Sequence, residues 1–242
     1  MVDLTASSIL PLPWDSQFFG FPVGRLRAHS VAEPELRQIL QQAREDGWRL
    51  LYWLVDPADE QSAASARAMR AQLTDRKARF ARPVPEVAPP RSPHVWPTSE
   101  LTPRLIDLAI QSAHYSRFRL DPGFRAGMYE RLYEHWIRSS ISGQLARQVL
   151  IYQPTIEPEA TGLLTLGYQP THATIGLLAV HQGHRGQGIG TQLVEAALHY
   201  ARAWLVPRIQ VTTQLDNDGA CRFYVREGFV QEHEEHVYHL WL

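Results

Sequence analysis

A glycine run set between an apolar stretch and a helical one constrains this chain more than any other feature. Residues His181–Thr191 read HQGHRGQGIGT, with IGLLAV (Ile175–Val180) before them and a helical pattern from about Gly188 to Trp204 after them. An apolar strand delivered into a glycine loop that opens a helix is the local grammar of an α/β chain. The first turn of such a helix offers amides without intrahelical partners and the positive end of the macrodipole. Glycine lets that backbone come close to an anion, so the loop reads as a pyrophosphate cradle. Spacing decides which kind. The G-x-x-x-x-G-K-[ST] pattern fails because Ile189 stands where lysine must follow Gly188, and G-x-G-x-x-G fails because Thr191 fills the third glycine position. The residues present are R-G-x-G-x-G, with Gly186, Gly188 and Gly190 behind Arg185.

Composition narrows the function classes. The 242 residues carry 24 basic and 25 acidic side chains, a formal net charge of −1. Nonspecific nucleic-acid binding needs a concentrated positive field, so no nucleic-acid partner is expected. The apolar run Leu50–Val55 (LLYWLV) is six residues long, against the roughly 20 of a membrane-spanning helix, and no span is expected. MVDLTASSILPLPW lacks the basic-then-apolar order of a signal peptide. Cys221 is the one cysteine, which points to a reducing, cytoplasmic setting.

Residues 83–97, PVPEVAPPRSPHVWP, hold six prolines and predict an extended linker. It divides an accessory α/β domain over residues 1–82 from a larger domain over 98–242. Before it the pattern predicts β-α-β-α-β, with helices over 32–46 and 58–73 and strands over 50–55 and 77–82. After it come helices over 102–113 and 124–139, antiparallel strands over 148–152, 162–167 and 173–180, then the glycine loop and its helix. A strand over 208–214, a helix over 218–227 and terminal strands complete a mixed-sheet α/β domain.

The glycine loop resembles the pyrophosphate loop of the GCN5-related N-acetyltransferases (GNATs), which bind acetyl-CoA. Asp216–Phe229, DNDGACRFYVREGF, is similar to that family's N-x-x-A-x-x-x-Y-x-x-x-G-F signature, with Asn217, Ala220, Tyr224, Gly228 and Phe229 in register. The resemblance covers about residues 101–242. It implies a bulged central strand over IGLLAV, splayed from its neighbour to admit the pantetheine arm. It also implies an amide near Leu178 as oxyanion donor, and the backbone of Leu178, Ala179 and Val180 along the pantetheine. The backbone of Arg185, Gly186, Gln187, Gly188, Ile189, Gly190 and Thr191 would surround the pyrophosphate. Asn217 would bond the pantetheine, or only cap its helix. Tyr224 would protonate the departing thiolate, or be only an inward-facing aromatic; a phenol of pKa about 10 suits a general acid at neutral pH. Acetyl-CoA is the implied co-substrate, and no metal is implied.

The acceptor side is read from YSRFRLDPGF (Tyr115–Phe124), where Arg117 and Arg119 flank Phe118. Two guanidinium groups and a ring suit a nucleoside diphosphate; the alternative is a charged loop with one buried Phe. A narrower resemblance, to the bacterial TDP-fucosamine acetyltransferases, rests on SRFR, on MYERLYEHWI and on WDSQFFG near the start. It implies acetylation of the 4-amino group of a dTDP-4-amino-4,6-dideoxygalactose-like sugar. The alternatives are a peptide or small-molecule amine, and a non-catalytic acetyl-CoA sensor. His114, His172 and His181 are the histidines nearest the expected cleft, and no general base declares itself. His233, His236 and His239 alternate faces on a strand, which is poor metal geometry. The oligomeric state stays open between monomer and homodimer.

Overall fold

The computed structural model describes residues 9–87, 89–154 and 159–242. Residues 1–8, which open the stretch that lacks signal-peptide order, lie outside them. In chain order the elements are β1 (Ile9–Pro11), α1 (Pro13–Phe19), β2 (Val23–Leu26), α2 (Glu33–Glu45), β3 (Leu50–Val55), α3 (Glu60–Ala68), β4 (Gln72–Pro83) and β5 (Val95–Pro97). There follow α4 (Pro103–Ser112), α5 (Arg117–Leu120), α6 (Met128–Ile141), β6 (Gln148–Tyr152), β7 (Gly162–Gln169) and β8 (His172–Val180). The chain ends through α7 (Ile189–Ala203), β9 (Arg208–Gln214), α8 (Asp218–Arg226) and β10 (Val230–Trp241). They form two compact units, Met1–Lys77 with Glu234–Leu242, and Ala78–His233.

The first unit has strand order β1-β2-β3-β10, antiparallel except for the parallel β2–β3 pair. Leu36, Ile39, Leu40 and Ala43 make the buried stripe of α2, packed over Leu51, Trp53 and Val55. The α3 helix is shorter than the 58–73 expected. Asp59 caps it, with Oδ1 accepting the Ser62 amide at 3.0 Å, and Arg70 then turns into the left-handed region at φ +55°. The chain enters β4 at Gln72, five residues before the expected strand. A left-handed arginine carries no glycine signal, which is why this stop is hidden from pattern reading.

In the second unit the order is β4-β9-β8-β7-β6-β5. β5 to β8 are successive antiparallel neighbours, while β8 pairs β9 in parallel. The core under α7 joins Leu164, Ile175, Ile189, Leu193, Val211, Tyr224 and Phe229. The α6 helix starts at Met128 because Gly127 takes φ +81°; Phe124 instead packs its ring on Phe118 at 5.4 Å.

Residues 83–97, expected as a linker between domains, lie inside the second unit. The Val84 amide donates to the Pro207 carbonyl at 2.9 Å, Arg202 donates to the Pro85 carbonyl at 3.0 Å, and Ser92 donates to Gln192 at 2.6 Å. Val95–Pro97 pairs with β6 as an edge strand, where a proline is tolerated. A Pro-rich segment keeps its carbonyls as acceptors, and neighbouring donors claim them. Where terminal strands were expected there is a single strand of twelve residues, β10. No described helix is long and apolar enough to cross a membrane.

Candidate active site

The site begins with an irregularity in β8. Leu164 pairs with Leu178 and Leu166 with Ile175, so Gly176 and Leu177 together oppose Thr165. This is a β-bulge. The Leu177 amide donates to Thr165 Oγ1 at 2.8 Å, and a Cβ on Gly176 would lie 2.8 Å from the same oxygen. Glycine is therefore required by close approach. The parallel β8–β9 ladder runs from Ala173↔Ile209 to Ile175↔Val211, where the bulge begins. Beyond it the His181 amide donates to the Thr161 carbonyl across β7 at 2.9 Å. Because facing alternates along an antiparallel strand, Ala179 is turned toward β7. Leu178 and Val180 present their N–H and C=O groups on the β9 side, past the end of the β8–β9 ladder. Arg185 Nε donates to the Val180 carbonyl at 3.2 Å.

The chain then makes a short 3-10 turn over Gln182–His184, with His181 Nδ1 accepting the Gly183 amide at 3.3 Å. Gly186 and Gly188 take φ +77° and +76°, a region that favours glycine. Gly188 is the N-cap of α7 and brings no side-chain cap. The first helical bond is Gln192 N–H to the Gly188 carbonyl. Among the described residues no backbone acceptor takes the amides of Gly186 to Thr191. Six consecutive unspent donors at a helix start suit an oxyanion ligand. Arg185 and Gln187 are exposed, and Ile189 is buried in the core. Gly190 answers to packing as well: a Cβ there would meet the Phe223 ring at 3.0 Å. The Thr191 hydroxyl donates to Glu227 Oε1 at 2.6 Å.

Asn217 caps α8, its Oδ1 accepting the Ala220 amide at 3.1 Å, which leaves its NH₂ group outside the cap. Tyr224 lies on the inner face of α8, 5% exposed, among the rings of Phe80, Phe223 and Phe229 at 6.2, 5.2 and 5.6 Å. Burial, with a smaller push from Cys221, holds its phenol well above the ordinary tyrosine pKa. It is a proton donor throughout the neutral range.

On the acceptor side, Phe118 is buried and meets Phe124 and Trp136 edge-on. Its ring is a core element, with the Arg117 guanidinium 4.7 Å above it. Arg119 Nη1 donates to the His114 carbonyl at 2.7 Å. The three residues share the one-turn helix α5, so side chains one and two apart point in different directions. His172 pairs with Gln169 at the hairpin end of β8, away from the glycine loop. Burial and the charges of Arg208 and Arg79 lower its pKa. His181 Nδ1 accepts from the loop turn, and His114 meets Tyr115 edge-on. On β10, His239 is buried against Tyr52, whereas His236 meets Glu234 at 3.3 Å. Among the described residues no group of three or more His, Cys, Asp or Glu side chains is placed to hold a metal ion. A concavity of about 540 Å³ lies at the C-terminal end of α7 beside Pro85, Arg202 and Leu205, the end opposite the glycine loop.

Two residues escape sequence reasoning. Thr165 is one polar residue in an apolar strand and gives no motif. Glu227 leaves a trace: a carboxylate at a helix C-cap opposes the macrodipole and asks for a specific partner.

Residues 112–229 match the Acetyltransferase (GNAT) family. The chain is 27% identical to the dTDP-fucosamine acetyltransferase of Escherichia coli O6:H1 over 223 residues, 92% of this chain and 93% of that one. It is 26% identical over 140 residues to the spore coat polysaccharide biosynthesis protein SpsD of Bacillus subtilis, 58% of this chain and 47% of that one. Among solved structures, the fold is similar to a tandem GNAT protein from the clavulanic acid biosynthesis pathway. That match has a TM-score of 0.55 and 18% identity, covering 92% of this chain and 76% of the other.

Proposed function

We propose that this chain, an N-acetyltransferase carrying a GNAT family domain, acetylates the amine of a nucleotide-linked amino sugar of the dTDP-4-amino-4,6-dideoxygalactose type. One observation carries the substrate class. The likeness to dTDP-fucosamine acetyltransferase runs over 92% of the chain, and so takes in the N-terminal unit as well as the family domain. We read that unit as an accessory domain, and a cytoplasmic setting fits the single cysteine.

The residues fit the donor. The unspent amides of Gly186 to Thr191 and the dipole of α7 would hold the pyrophosphate. When bound, acetyl-CoA supplies the activated acetyl thioester. The Leu178 amide, facing the gap beyond the β8–β9 ladder, would donate to the thioester carbonyl oxygen where negative charge develops. Val180 would offer its backbone to the pantetheine amides, and Asn217 its NH₂ group, while Ala179 holds β8 on β7. The Tyr224 O–H would give its proton to the departing sulfur. The neutral acceptor amine would bond to the acetyl carbon as the C–S bond breaks; the proton it releases to solvent balances the one Tyr224 takes back. Arg117 and Arg119, leaving their turn in different directions, would have to reach the acceptor's diphosphate from two sides through their long side chains, with Phe118 anchoring the turn in the core.

The test is acetyl transfer from acetyl-CoA over dTDP- and UDP-linked amino sugars, the free amino sugars and amine-bearing peptides. Turnover of a nucleotide-linked sugar well above its free form supports the reading. Equal use of the free sugar, or preference for a peptide, overturns it.

A further inference from the structure

Glu227 stands at the C-cap of α8, the negative end of the helix, where a carboxylate gains nothing from the dipole. It is held there from two sides. Its Oε1 accepts the Thr191 hydroxyl at 2.6 Å, and its backbone carbonyl accepts Arg82 Nη1 at 2.6 Å. Thr191 belongs to the first turn of α7, whose amides form the proposed cradle. One residue earlier, Gly190 lies so close to the Phe223 ring that a Cβ would come within 3.0 Å. Phe223 immediately precedes Tyr224. The first turn of α7 and the acid-bearing turn of α8 are thus clamped at two adjacent points, one polar and one apolar.

We infer that Glu227, acting through the Thr191 hydroxyl, is a positioning residue that keeps the Tyr224 turn of α8 in register with the amide cradle of α7. The inference rests on the proposed roles of Tyr224 and the cradle. Its physical content is that one short hydrogen bond to a carboxylate joins the element that binds the donor to the element that delivers the proton. A second, apolar contact beside that bond leaves little freedom for the two turns to slide. The carboxylate is needed as an acceptor, not as a charge, since its partner is a neutral hydroxyl.

Steady-state kinetics of Glu227→Ala, Glu227→Gln, Thr191→Val and Thr191→Ser test this, with acetyl-CoA and acceptor varied separately and thermal melts as a check on folding. Glu227→Ala and Thr191→Val should each lower kcat/KM for acetyl-CoA about tenfold, leave the acceptor KM fixed, and give no further loss when combined. Glu227→Gln keeps the acceptor oxygen and Thr191→Ser keeps the hydroxyl, so both should restore the wild-type values. Additive losses, a Gln variant as impaired as Ala, or values within about twofold of wild type for all four overturn the inference. Gly188→Val, measured in parallel, reads the cradle itself. Lost donor binding in Gly188→Val with silent Glu227 and Thr191 variants overturns the positioning role and leaves the cradle standing. Silence of Gly188→Val as well overturns both.

Discussion

Gly176 and Thr165 are matched across the β7–β8 pair: a Cβ on Gly176 would lie 2.8 Å from Thr165 Oγ1, the same oxygen that accepts the Leu177 amide at 2.8 Å. The bulge depends on a missing side chain and a present hydroxyl at once. It ends the β8–β9 ladder ahead of Leu178 and Val180, whose backbone is proposed to lie along the donor.

Gly176→Ala should therefore destabilise the protein by about 1–3 kcal/mol, because the added methyl must push aside a β-branched side chain fixed by its own hydrogen bond. Urea denaturation reads this directly. A midpoint equal to the wild type would show that the bulge relaxes freely and that Gly176 is not needed for it.

Tyr224→Phe should lower kcat by about 10²–10⁴-fold with little change in acetyl-CoA KM, the signature of a lost general acid. A mutant that keeps most of its kcat, with chemistry shown to limit the rate, removes Tyr224 from the mechanism.

The same phenol predicts a pH dependence of stability. Its pKa is raised on folding by burial, so its contribution is complete below the unfolded tyrosine value of about 10 and is lost as pH rises beyond it. Thermal melts at pH above about 10 should show the wild type losing stability faster than Tyr224→Phe. Parallel alkaline losses in the two proteins would contradict a buried, raised phenol.

The glycine loop was legible because its chemistry is local. Gly186 and Gly188 sit at positive φ, a demand that the residue type advertises. Gly190 was legible only in part: its place in the motif suggested the ligand, while its contact with Phe223 is tertiary and leaves no mark at that spacing. Phe118 shows the same limit. Flanked by arginines, it read equally as a stacking platform or a buried ring, and only its packing against Phe124 and Trp136 separates the two. The α3 stop at Arg70 and the hydroxyl of Thr165 were invisible for a related reason, since each answers to a neighbour distant in sequence or to a conformation its residue type seldom adopts.

Arg117→Ala and Arg119→Ala should each raise the KM of a nucleotide-linked acceptor roughly tenfold and leave the acetyl-CoA KM unchanged, since charge-assisted bonds to a diphosphate are worth about 1.5–3 kcal/mol. Free amino sugar serves as the comparison acceptor. Arg119 also supports the His114 carbonyl, so a melt accompanies its kinetics. Unchanged acceptor KM in both variants would move the diphosphate contact off this turn.

Calorimetric titration of acetyl-CoA into wild type and Gly188→Val tests most directly whether the start of α7 is the donor site. Gly188 holds φ +76°, and a Cβ added to it would have no neighbouring atom within 4 Å. A valine there strains the loop that presents these amides and meets no core atom. Saturable binding by the wild type and loss of measurable binding by a folded Gly188→Val are expected. Equal affinity of the two proteins for acetyl-CoA would contradict a donor site at the start of α7.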